Sequence, residues 1–145
     1  MFCCQNAQVV DESSTEVILT ETERLEIEIK KNNKLVKNKD EKVFLCSGGF
    51  GSVFVFTNVI ANKKLIEKRG KLRHINRTLL EAKTLIDLNG LFCPQFLMFK
   101  TMETYTNLTM EYISGKDLFE YFTSHDDDID YEWIQHIVAS ISVAL

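Results

Sequence analysis

Hydrophobic and polar positions change rhythm near residue 40. Before it, Leu25, Ile27 and Ile29 alternate with Arg24, Glu26 and Glu28, a two-residue period that suits a short strand. Lys30 to Lys39 is polar and basic and reads as a tether. Residues 1–40 hold no Gly or Pro and many Glu, Thr, Lys and Asn, so they are expected to be a weakly ordered N-terminal extension. After it, Val43-Phe44-Leu45, a glycine turn and Ser52 to Phe56 predict strand, turn, strand. A turn around Ala61 to Lys64 leads to a third strand over Leu65 to Lys68. Ile75, Leu79, Ala82, Leu85 and Leu88 fall near one helical stripe. Asn89-Gly90 stops that helix, with Pro94 just beyond. Gln95 to Phe99 and Leu108 to Ile113 read as two more strands, joined by the polar turn Glu103 to Asn107. Lys116 to Phe122 reads as helix, His125 to Asp128 as loop, and Ile134 to Leu145 as a long apolar helix. Antiparallel strands with one inserted helix predict an α+β fold, with no internal repeat.

Composition narrows the setting. The chain has 145 residues, 45% of them hydrophobic and 26% charged, which allows one packed domain. No apolar run reaches the ~18–20 residues that cross a bilayer, and Met1 to Gln5 lacks the basic and apolar regions of a signal peptide. The expected residence is cytoplasmic or nuclear. Cys3, Cys4, Cys46 and Cys93 form no metal-binding spacing with the three histidines, so they read as free thiols. A net charge of −4 gives no sign of nucleic-acid contact.

The candidate chemistry begins at Ser47-Gly48-Gly49-Phe50-Gly51. Glycines let a turn bring its backbone N–H groups close to an anion. A strand follows this turn, and the helix of dinucleotide and P-loop sites is absent. Val53 opens the second strand, where a branched side chain can cover an adenine. A plain hairpin turn is the competing reading.

Leu45-Cys46-Ser47-Gly48-Gly49-Phe50-Gly51-Ser52-Val53 resembles the glycine-rich loop of protein kinases, with Phe50 at its aromatic tip and Cys46 replacing the first glycine. The resemblance implies a lysine on the third strand that holds two ATP phosphates and a helix glutamate that fixes it. Leu65-Ile66-Glu67-Lys68 would stand at the family's V-A-I-K, with Glu67 at an apolar position. Lys68 is the preferred lysine, fifteen residues after Val53; Lys63 and Lys64 stay open. Glu81 is the expected glutamate, and a surface pairing with Arg77 or Lys83 is its plain alternative.

Leu108-Thr109-Met110-Glu111-Tyr112-Ile113-Ser114-Gly115-Lys116-Asp117-Leu118-Phe119 is similar to the kinase hinge, with Lys116 replacing its second glycine. By that resemblance Met110 lines the back of the adenine pocket. Glu111 offers its carbonyl and Ile113 its amide to the base, and Asp117 bonds the ribose or simply begins a helix. Arg77-Thr78-Leu79-Leu80-Glu81-Ala82-Lys83-Thr84-Leu85 also resembles the R-T-x-x-E-A-x-x-L helix of the small atypical kinase of the tRNA-modifying KEOPS complex. Phe50 departs from that group's G-A-E-A turn, and no proline follows His74.

The resemblance implies a five-stranded kinase N-lobe over residues 41–113, followed over 114–145 by the first C-lobe helices. It implies ATP as ligand, with magnesium expected only beside a complete C-lobe. A protein substrate is expected if a full kinase exists, and KEOPS subunits if the narrower likeness holds. The catalytic-loop aspartate and D-F-G motif are absent, so no catalytic or metal residue is assigned and no phosphoryl transfer is expected. His125-Asp126-Asp127 precedes the core helix and reads as solvated loop. A truncated kinase is the first reading, and a pseudokinase-like nucleotide- or partner-binding module the second. An α+β domain with a fortuitous glycine turn is the third.

Overall fold

A computed structural model describes residues 19–38, 40–124 and 131–144. Five antiparallel strands form one sheet: β1 (Val43–Gly48), β2 (Gly51–Asn58), β3 (Lys63–Lys71), β4 (Phe96–Thr101) and β5 (Tyr105–Glu111). Their order across the sheet is β1-β2-β3-β5-β4. The first helix, α1, spans Glu21–Lys30, and α2 spans Ile75–Leu88 between β3 and β4. After the sheet come α3 (Leu118–Ser124) and α4 (Tyr131–Ala144). None of the helices is long and apolar enough to cross a membrane, among the described residues.

Residues paired across a ladder share a face, because side chains alternate along each strand. Val53, Lys68, Leu108 and Phe99 make one row, and Val55, Ile66, Met110 and Phe96 the next. Helix α2 lies on this face against β3, β4 and β5. It buries Leu79, Ala82 and Leu85 with Phe96, Phe99, Leu108 and Met110. The helix ends where Asn89 turns left-handed at φ 47°. Toward β1 and β2 the same sheet face stays uncovered by α2.

The strand expected around Leu25–Ile29 is a helix instead. Thr20 Oγ1 accepts from the Glu23 N–H at 3.3 Å, and the Glu23 carboxylate accepts from the Thr20 N–H at 2.8 Å. This reciprocal cap satisfies free N–H groups of the first turn, and Glu21 and Glu23 also suit its positive end. Leu25 and Ile29, four residues apart, then share one face toward α2 and β4, while Ile27 is 45% exposed. Ile29 is fully buried in the main core.

The described part of the expected tether is also fastened. The Asn33 side chain pairs with both the N–H and the C=O of Phe99, at 2.8 and 2.9 Å. Lys34 N–H donates to the Leu97 carbonyl at 2.7 Å, and Lys37 N–H to Asn58 Oδ1 at 3.1 Å. Residues 19–38 therefore belong to the packed domain, against the expectation of a weakly ordered extension. Residues 1–18, and the loop expected at His125 to Asp128, lie outside the described residues.

Glu67 stands where an apolar residue was expected. It points to the face opposite α2 and is 1% exposed. Lys42 forms an ion pair with it, and Arg69 Nε donates at 2.8 Å. Burial alone pushes the Glu67 carboxyl up, but hydrogen bonds from Lys42, Asn107 and Arg69 outweigh it and hold the group below the ordinary glutamate range. Arg69 in turn stacks over Phe54 at 4.3 Å and Tyr105 at 5.3 Å.

Candidate functional site

The glycine turn joins β1 to β2, with Gly48 paired to Gly51 and Gly49-Phe50 at its tip. The fold accounts for one of its glycines. A Cβ on Gly51 would sit 1.8 Å from the Arg69 carbonyl oxygen, because Gly51 pairs with Gly70 at close range. A Cβ on Gly48 or Gly49 would meet nothing within 4 Å. Packing thus explains Gly51 and leaves Gly48 and Gly49 without a structural reason. Missing side chains there keep backbone N–H groups open to a ligand. Gly51→Ala is expected to lower unfolding free energy by ~1–3 kcal/mol through overpacking. Gly48→Ala should change it by less than ~0.5 kcal/mol, and paired thermal melts compare the two.

Beneath the turn, Lys68 on β3 meets Glu81 on α2. Lys68 Nζ lies 2.7 Å from both carboxylate oxygens of Glu81. The ladder sets this contact: Lys68 pairs with Val53 and Leu108 and so faces α2. Glu81 adjoins the buried stripe of Leu79, Ala82 and Leu85, which aims it at the sheet. Lys63 and Lys64 start the strand at its far end, and Lys64 lies over the Tyr112 ring. Lys83 pairs with Asp87 at 2.7 Å and Glu28 at 3.2 Å, leaving Glu81 to Lys68.

A cavity of about 440 Å³ opens between the turn, β3 and α2. Phe50, Lys68, Gly70, His74, Arg77 and Glu81 line it. Phe50 curls toward α2, where the Arg77 guanidinium lies 3.8 Å from its ring centre and His74 meets the ring edge-on at 5.7 Å. Sequence reasoning gave His74 and Arg77 no place in the site. The signal was their spacing: 74, 77, 81 and 84 follow the helical repeat of Glu81.

The hinge residues stand further off. Met110 shares the sheet face of Ile66 and Val55, and is 9% exposed within the core. Glu111 ends β5, its N–H donating to the Gln95 carbonyl at 3.0 Å. Ile113 is exposed beyond it. Asp117 Oδ1 accepts from the Glu120 N–H at 2.7 Å, the bond of a helix cap for α3. The structure therefore gathers Phe50, Lys68 and Glu81 around one cavity, with Val53 beside Lys68. Met110 sits behind this group on the same sheet face, and Ile113 and Asp117 lie outside the cavity wall. The described residues hold no group of three or more His, Cys, Asp or Glu suited to a metal ion.

No protein-family model matches the chain. No curated protein matches it. Among solved structures, it is similar to the crystal structure of Rad53 1–466 in complex with AMP-PNP, with a TM-score of 0.51 and 21% identity. The likeness covers 65% of this chain and 25% of that one, so the chain spans about a quarter of its neighbour. It shows the fold: a five-stranded antiparallel sheet with helices, of the protein-kinase N-lobe type.

Proposed function

We propose that this chain is the ATP-binding part of a protein kinase, incomplete and without phosphotransfer as it stands. The observation that carries the reading is the Lys68–Glu81 contact, made to both carboxylate oxygens at 2.7 Å beneath a glycine turn. A lysine so held presents its charge at a fixed point, and two phosphates are its natural partner. Backbone N–H groups around Ser47, Gly48, Gly49 and Gly51 receive the remaining phosphate oxygens. Val53 covers the base, with Met110 behind it. Glu111 C=O and Ile113 N–H hold the base edge. Asp117 reaches the ribose only by giving up its cap on α3. The solved neighbour carries AMP-PNP, a nucleotide analogue, which supports the same class of ligand.

The narrower KEOPS likeness rests on Arg77–Leu85. Thr78, Ala82 and Leu85 of that pattern are buried, so packing alone accounts for them. Only Arg77 and Glu81 remain for function, and Glu81 is common to protein kinases at large. We therefore take the broader reading. Protein substrates and residence in the cytoplasm or nucleus belong with it. The alternative reading is a pseudokinase-like module that binds a nucleotide or a partner without phosphotransfer.

ATP at about 100 times its dissociation constant stabilises a binding protein by ~2.7 kcal/mol. For a domain of this size that is a rise of ~5–10 °C in melting temperature. Lys68→Met should abolish the rise while keeping the unliganded melting temperature. A wild-type melt that millimolar ATP leaves unmoved would refute the reading.

A further inference from the structure

We propose that Arg77 reads the terminal phosphate, so that this chain distinguishes a nucleoside triphosphate from a diphosphate. The inference rests on the nucleotide reading above and assigns a residue that the glycine turn, lysine and glutamate do not include. Three observations carry it.

The first is charge. Lys68 is the other cation on the cavity wall, and Glu81 engages it with both oxygens. Among the described residues Arg77 makes no salt bridge, and its guanidinium lies over the Phe50 ring. A cation without a carboxylate partner is the one whose charge a third phosphate can still use.

The second is geometry. Arg77 stands one helical turn before Glu81 and lines the same cavity of about 440 Å³. Lys68 and Phe50 at the tip of the turn line this cavity too, so a phosphate chain held by them lies in the space that Arg77 borders.

The third is the form of the contact. A guanidinium stacked on a ring spends its face and keeps its in-plane N–H donors. Those donors pair well with phosphate oxygens. Phe50 thus holds Arg77 over the cavity with its donors still to be used, and Lys71 N–H anchors the Phe50 carbonyl at 3.3 Å.

Isothermal titration of the 145-residue chain with ATP and with ADP tests this. The wild type is expected to prefer ATP. Arg77→Met should lower the ATP-to-ADP affinity ratio by about tenfold, and Arg77→Lys should restore part of it. Arg77 is exposed, so both variants should melt near the wild-type temperature without ligand. If Arg77→Met binds nucleotide with the wild-type ratio, the role given to Arg77 is wrong and the nucleotide reading stands. If the wild type binds neither ATP nor ADP, the nucleotide reading fails and takes this inference with it.

Discussion

Ile29→Ala is expected to lower the unfolding free energy by ~2–5 kcal/mol, as read from urea denaturation of the full chain. Ile29 is 0% exposed, in the core cluster with Leu79, Ala82, Leu85, Phe96 and Phe99. Truncation removes its transfer energy and leaves a cavity among groups held by α2 and β4. A domain of this size has only ~5–15 kcal/mol of stability to lose. Ile27→Ala is the control, since Ile27 is 45% exposed and its loss should cost less than ~0.5 kcal/mol. The effect should reach the site as well. Helix α1 braces the α2 surface through Leu25, Ile29 and the Glu28–Lys83 pair, and α2 carries Glu81. A loosened brace lets Glu81 leave Lys68, so nucleotide affinity should fall with stability. Equal unfolding curves for the Ile29 and Ile27 variants would show that α1 is no part of the core.

That segment is where the sequence was hardest to read. Alternating Leu25, Ile27 and Ile29 satisfy a strand period, but Leu25 and Ile29 also satisfy a helical one. The deciding signal was local: Thr20 and Glu23 form a capping box, which fixes the helix start whatever the pattern beyond it. The tether was misread for a different reason. Asn33 and Lys34 are polar in composition, yet their bonds to Phe99 and Leu97 depend on contacts more than sixty residues away. By contrast, α2 was legible to the residue, because its apolar stripe and the Asn89-Gly90 stop are both local. The five strands were legible for the same reason, with ends that moved by a few residues. Within the site, strand register separates Lys63, Lys64 and Lys68, which spacing alone leaves alike. Only Lys68 lies opposite Val53 and Leu108, and so in reach of α2. His74 and Arg77 were read only as parts of the helix pattern or as a surface partner of Glu81, because a motif lists the residues of a family, while a cavity includes whatever lines it.

Lys42→Met is the second large effect, and its size depends on pH. Glu67 is 1% exposed, and the Lys42 ammonium is one of its two cationic partners. Breaking a buried pair from one side costs ~3–5 kcal/mol. Lys42 is 27% exposed and Arg69 stays in place, so ~1–3 kcal/mol is the reasonable expectation near pH 7. The Glu67 carboxyl is held below its usual range by Lys42, Asn107 and Arg69 against the cost of burial. A group lowered in the folded state contributes its full stability above the unfolded glutamate pKa of about 4.3. That contribution fades as the pH falls through the lower folded value, where Glu67 takes up a proton. Once Glu67 is neutral, Lys42 has no charge to compensate. The gap between wild type and Lys42→Met should therefore narrow as the pH falls from 7 through about 4. Lys30→Met is the comparison, because Lys30 and Glu26 form a more exposed pair and its loss should cost less than ~1 kcal/mol. Denaturation series across that range measure both variants. A Lys42→Met deficit that stays constant with pH would mean that Lys42 stabilises the sheet by packing over Phe56, 5.2 Å away, and not through the Glu67 charge.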